Sequence, residues 1–145
     1  MRVIVTGAAS GIGRAVAEAL ALDPAHRLLL SDRDAEGLAA VVAAIGLAAA
    51  PCVADLTDPD CGETLVAAAL AHMGGIDAVV SNAGIIGAGA LVDLSPVDFD
   101  RVFAINTRAT WALAKAAHPH LAASKGAFVA TASMSASQPT PGLGF

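Results

Sequence analysis

The stretch Val3 to Ala15, VIVTGAASGIGRA, sets Gly7, Gly11 and Gly13 between a short apolar run and the start of a helical pattern. Glycine there lets backbone approach a ligand that a side chain would hold off. A helix starting at the same place aims its free N–H groups and positive end at that ligand. The chemistry that needs both is the binding of a dinucleotide pyrophosphate. Ser10, inside the loop, adds no positive charge. Asp32 follows a second apolar run, 19 residues after Gly13. A carboxylate there can accept both hydroxyls of an adenosine ribose and repels a 2′-phosphate, which favours NAD over NADP. Arg33 is the opposing feature, since an arginine beside the ribose can hold a phosphate. The plainer alternatives are a merely tight turn for the glycines and a helix-capping turn residue for Asp32.

These groups need elements to position them. Val3–Val5 and Leu28–Leu30 read as strands, Cys52–Ala54 as a weaker third, Ile76–Val80 as a fourth and Ala127–Ala130 as a fifth. Ile12, Val16 and Leu20 share a helix face, as do Leu38, Val41, Val42 and Ile45, and then Val66, Leu70 and Met73, closed by Gly74-Gly75. Ser95-Pro96 reads as a cap with proline at the first helical position, opening one long helix. Apolar strands alternating with helices predict an α/β fold, a doubly wound parallel sheet covered on both faces. Residues 1–145 read as one domain, with no internal linker or low-complexity segment. Phe99, Val102, Phe103 and Asn106 fall on one face of the long helix, which is expected to point inward. A buried amide without partners costs roughly 1–3 kcal/mol, so Asn106 must be satisfied by something.

TGAASGIG at Thr6–Gly13, NAG at Asn82–Gly84 and Asn106 together resemble the short-chain dehydrogenase/reductase family, in order along the whole chain. The resemblance implies a Rossmann-type sheet in the order 3-2-1-4-5, lacking the later strands. It implies a site in which Gly7, Ser10, Gly11, Ile12 and Gly13 meet the cofactor phosphates. Asp55 and Leu56 would lie along the adenine, and Asn82, Ala83 and Gly84 beside the cofactor at the end of the fourth strand. Asn106 would hold a water in a proton relay from a kinked helix. Ser133, closing the fifth strand, would orient the reacting carbonyl or hydroxyl, with Ser135 and Ser137 as rivals. Bland readings stand beside these: Asp55 as a loop cap, Asn82 as a turn, Asn106 as a satisfied core amide.

The family's catalytic tyrosine comes thirteen residues after that serine, with a lysine four further on. Counted from Ser133, the tyrosine falls immediately after Phe145, and the chain contains no tyrosine. The ending ASQPTPGLGF, with Pro139, Pro141, Gly142 and Gly144, is thus expected to lead on to more chain. Ala122–Lys125, AASK, resembles the end of the same Tyr/Lys element, but Leu121 stands where tyrosine is needed and the segment precedes the fifth strand.

Composition narrows the function. Hydrophobic residues make up 56% and charged residues 14%, with net charge −5 and no basic cluster, which argues against nucleic acid or an anionic membrane as partner. The uncharged stretch Gly37–Ala54 is interrupted by Gly46 and Pro51, so it reads as helix, turn and strand instead of a membrane span. Cys52 and Cys61 are too few for a disulfide framework and fit a cytoplasmic setting. His118-Pro119-His120 reads as solvated, and no metal site is expected. The expected activity is hydride transfer between a nicotinamide and a small alcohol or carbonyl substrate, in a homo-oligomer. Chain ending at Phe145 would be inactive by itself. The competing class is a short dinucleotide-binding module without catalysis. A methyltransferase, which also uses a glycine loop and an acidic residue, is disfavoured by the NAG and Asn106 placement.

Overall fold

A computed structural model describes residues 1–138 and 142. The remaining residues of the terminal loop, among them Pro139, Pro141, Gly144 and Phe145, lie outside the described residues. Five strands form one parallel sheet: β1 (Arg2–Thr6), β2 (Arg27–Asp32), β3 (Ala49–Val53), β4 (Ala78–Ser81) and β5 (Ala127–Ala130). Their order is β3-β2-β1-β4-β5. The order reverses between β1 and β4, which opens a crevice at the carboxyl ends of the strands.

Helices α1 (Gly11–Leu20) and α2 (Ala35–Ile45) cover one face, while α3 (Cys61–Met73) and α5 (Ala109–Ser124) cover the other. The strand alternation explains the two cores. Val3, Val5, Leu28 and Leu30 point to the α1/α2 side with Ala17, Leu38 and Val41. Ile4, Leu29 and Val79 point to the α3/α5 side with Leu65, Ala69 and Leu113. Because both sheet faces are buried, the central strands carry no exposed polar alternation.

Element boundaries differ from the sequence reading at several places, and β1 and β2 run past Val3–Val5 and Leu28–Leu30 at both ends. The third strand is Ala49–Val53 and excludes Ala54, while the fourth begins at Ala78 and ends at Ser81. The long helix is divided. Helix α4 (Pro96–Phe103) opens with a reciprocal cap, in which Ser95 Oγ accepts from the Asp98 N–H and the Asp98 carboxylate accepts from the Ser95 N–H. A π-helical turn over Ala104–Arg108 then joins it to α5.

The inward face is also displaced. Buried positions run through Val102, Ile105, Ala109, Leu113, Ala117 and Leu121. Phe99 and Phe103 sit on the shoulder of that stripe, 43% and 45% exposed, with their rings stacked at 4.2 Å. Asn106 is exposed, not buried.

Candidate functional site

The glycine loop joins β1 to α1 at the crevice. Gly7 and Gly11 have φ of +68° and +53°, values that disfavour any side chain. A Cβ on Gly13 would stand 2.1 Å from the Gly7 carbonyl oxygen, so the turn closes on itself only with glycine there. Gly11 has nothing within 4 Å of its would-be Cβ, which leaves the front of the turn open. Ser10 at the N-cap of α1 makes no side-chain capping bond, and the first turn carries no acidic residue. The positive end of the helix therefore faces the crevice without an internal counter-charge.

Asp32 is the last residue of β2 and is held from both sides. Its Oδ2 accepts from the Ala9 N–H at 3.0 Å and its Oδ1 from the Asp34 N–H at 3.1 Å. The carboxylate is thus aimed by the backbone of the glycine loop and by the entry to α2. Asp55 caps its own loop by accepting from the Thr57 N–H at 2.9 Å. Hydrogen bonds from Thr57 hold the Asp55 carboxyl below the usual range, and the charges of Arg33 and Arg101 push the same way.

A threonine that the sequence reading passed over ties the loop after β4 to β1. Thr6 Oγ1 accepts from the Asn82 and Ala83 N–H groups at 3.0 and 3.1 Å. Asn82 Nδ2 donates to the Thr6 carbonyl at 3.3 Å, and Thr131 Oγ1 donates to Asn82 Oδ1 at 3.1 Å. Asn82 therefore bridges the ends of β1, β4 and β5. Hydroxyl residues at the carboxyl ends of parallel strands were the available signal, with Thr6 the last residue of β1 and Thr131 the first after β5.

The resulting cleft, about 390 Å³, is lined by Gly7, Ser10, Gly11, Ile12, Asp32, Asp55, Leu56, Asn82, Ala83 and Gly84. Ser31, Arg33, Ala54, Ile85, Ile105 and Thr131 complete the lining. Gly13 stands behind the loop, buried, and supports the turn from within. Asn106 is not in the lining. Its Nδ2 donates to the Ile85 carbonyl and its Oδ1 accepts from the Ile85 N–H, both at 2.9 Å. The exposed amide is satisfied by clamping the backbone of a cleft residue from the π-helical turn.

Ser133 does not close β5, which ends three residues earlier at Ala130. It caps a short 3-10 turn, Met134–Ala136, by accepting the Ser135 N–H at 3.2 Å. Thr131, not Ser133, is the hydroxyl that reaches the cleft lining. Among the described residues, no group of three or more His, Cys, Asp or Glu is arranged to hold a metal ion. No helix there is long and apolar enough to cross a membrane.

A family model described as short chain dehydrogenase matches residues 1–145. Versicolorin reductase 1 of Aspergillus parasiticus is 39% identical over 125 residues, which is 81% of this chain and 46% of that protein. Sorbitol dehydrogenase of Cereibacter sphaeroides is 38% identical over 107 residues, covering 74% of this chain and 41% of that protein. A short chain dehydrogenase/reductase from Burkholderia phymatum, solved in complex with NAD, superposes with a TM-score of 0.91 at 28% identity. That match covers 98% of this chain and 52% of the other. A short chain dehydrogenase from Burkholderia cenocepacia, solved in complex with NADP, gives 0.90 at 35% identity, covering 98% and 59%. The chain spans about half the length of the curated relatives it matches.

Proposed function

The chain belongs to the short-chain dehydrogenase family, and from that membership we propose that it forms the nucleotide-binding part of a nicotinamide-dependent oxidoreductase acting on an alcohol or ketone. The observation that carries the reading is the cleft itself. Its floor is a glycine turn at an uncapped helix start, and its far wall is a backbone-aimed carboxylate.

Each residue has a defined task in this reading. Gly7 and Gly11 admit the pyrophosphate, Gly13 keeps the turn closed, and the N–H groups around Ser10 and Ile12 meet its oxygens. Asp32 takes the adenosine ribose hydroxyls, which favours NAD over NADP; Arg33 opposes that preference at the same edge. Asp55 and Leu56 lie along the adenine, and Asn82, Ala83 and Gly84 line the way towards the nicotinamide. When bound, the nicotinamide supplies the hydride chemistry. Asn106, by holding Ile85, fixes the wall of the cleft, and Ser133 orients the substrate oxygen once its hydroxyl turns from the Ser135 N–H. With no tyrosine in the chain, these 145 residues by themselves bind the cofactor without turnover. Cys52 and Cys61 are free, in keeping with a reducing cytoplasmic compartment.

Calorimetric titration with NAD and with NADP tests the proposal. NAD is expected to bind the more tightly. Asp32→Ala should weaken NAD about tenfold and narrow the gap to NADP. Tighter binding of NADP by the unaltered chain would assign the ribose edge to Arg33.

A further inference from the structure

We infer that Arg108 is a positioning residue for the cofactor's adenine: from the π-helical turn it tethers the loop that presents Asp55 to the cleft. This role rests on the cofactor reading above, in which Asp55 lies along the adenine. It adds a residue that stands outside the cleft lining.

The loop joins β3 to α3. Asp55 and Leu56 line the cleft, and the Asp55 side chain is exposed. The hydrogen bonds inside the loop are local. Thr57 donates its N–H to Asp55 Oδ1 at 2.9 Å, and the Asp58 N–H donates to the Asp55 carbonyl at 3.1 Å. The Asp60 N–H donates to Asp58 Oδ1 at 2.9 Å, and the Cys61 N–H to the Asp58 carbonyl at 3.2 Å. Such bonds set the shape of the loop but not its position against the cleft. Among the described residues, one hydrogen bond reaches residues 55–60 from outside the loop and α3. Arg108 Nη2 donates to the Thr57 carbonyl at 2.6 Å, across 51 positions of sequence. A charged donor at that distance makes the stronger kind of hydrogen bond. Thr57, the residue it holds, is the one whose N–H aims the Asp55 carboxylate.

The other wall of the cleft is held from the same turn. Asn106 takes the N–H and the carbonyl of Ile85, also a lining residue. Asn106 and Arg108 are two residues apart, so their side chains leave the turn in nearly opposite directions. The π-helical turn thereby ties the loop after β3 and the segment after β4 to one element. Chemistry makes the aim of Asp55 measurable. A carboxylate only accepts, and the 6-amino group of adenine is the donor that meets it. Hypoxanthine puts a carbonyl in that place. The ratio of affinities for NAD and for nicotinamide hypoxanthine dinucleotide therefore reports how well Asp55 is aimed.

The test is calorimetric titration of the chain with both dinucleotides. The unaltered chain is expected to favour NAD about tenfold. Arg108→Met should cut that ratio to about threefold or less, while Arg108→Lys, which keeps a donor, should restore most of it. Arg108→Glu repels the Thr57 carbonyl and should lower the ratio as well. Arg108 is exposed, so these changes leave the core untouched, and thermal melting checks that each variant folds. Losses of stability or overall charge weaken both dinucleotides alike and cancel in the ratio. An unchanged ratio in the folded variants, even with both dinucleotides weakened, would overturn the role and leave Arg108 a structural tie. Asp55→Ala separates this role from the reading beneath it. If Asp55→Ala removes the ratio and the Arg108 variants keep it, the role of Arg108 alone falls. If the unaltered chain shows no preference, or Asp55→Ala keeps it, the adenine reading of Asp55 falls and the role of Arg108 with it.

Discussion

Thr6 is a buried hydroxyl that accepts from two N–H groups of the loop after β4. Replacing it with valine keeps the shape and strands both donors. Thr6→Val should cost about 1–3 kcal/mol, read as a lower urea midpoint with unchanged slope. It should also loosen the cleft wall, so NAD affinity falls with stability. At the opposite end of the sheet, Arg2 forks onto Asp77. Its Nε and backbone N–H both donate to Asp77 Oδ2, at 3.1 and 2.8 Å, and its second terminal nitrogen meets Oδ1. The Arg2 side-chain hydrogen bond, more than any other partner, holds the Asp77 carboxyl down at about 2, below its ordinary 3.8. A carboxyl lowered on folding stabilises fully above its unfolded value, and that contribution is lost as pH falls through the folded one. The melting temperature should therefore drop between about pH 4 and pH 2, and Asp77→Asn should flatten that part of the profile.

Among the elements, the packing of α3 on α5 is the most exacting. A Cβ on Gly62 would lie 2.6 Å from the carbonyl carbon and oxygen of Ala112, which are backbone atoms that cannot turn aside. Gly62→Ala should push the helices apart and cost about 1–3 kcal/mol, measured by denaturant unfolding. The sheet order was legible through the family resemblance. The strands and the glycine turn were legible in the residues, because backbone geometry there admits few residue types. Gly7, Gly13 and Asp32 are of this kind. The π-helical turn was legible only as the kink that the resemblance implies at Asn106, not in the residue pattern. It inserts one residue between Phe103 and Ala109, and a heptad-like count through Phe99, Val102, Phe103 and Asn106 cannot register it. Alanine made the error easy, since α5 is rich in a residue that sits equally well inside or outside. The end of β5 at Ala130 was legible, but the turn that Ser133 caps was not, because the small residues Thr131 to Ser133 carry no turn signal.

At the scale of the whole chain, β5 is the edge strand of the sheet formed by the described residues, and Val129 on it is 55% exposed. Phe99, Phe103 and Trp111 add exposed aromatic surface along α4 and α5. Edges and apolar faces of this kind favour association. A polypeptide of these 145 residues should scatter light as an oligomer or aggregate, and a monodisperse 14.2 kDa species with a cooperative melt would contradict this. The same preparation should show no alcohol- or ketone-dependent change at 340 nm. The place of β1 in the sheet has a further consequence, for synthesis. One flank of β1 is matched by β2 almost at once, but the other waits for β4 and its flanking residues Asp77 and Ala83, which lie 75 to 77 residues downstream of their partners. During translation the first strand made must remain half-paired until more than half of the chain has left the ribosome. Force on a stalled nascent chain should consequently stay low at lengths that expose only β1 to β3, and rise when the segment through Ala83 emerges.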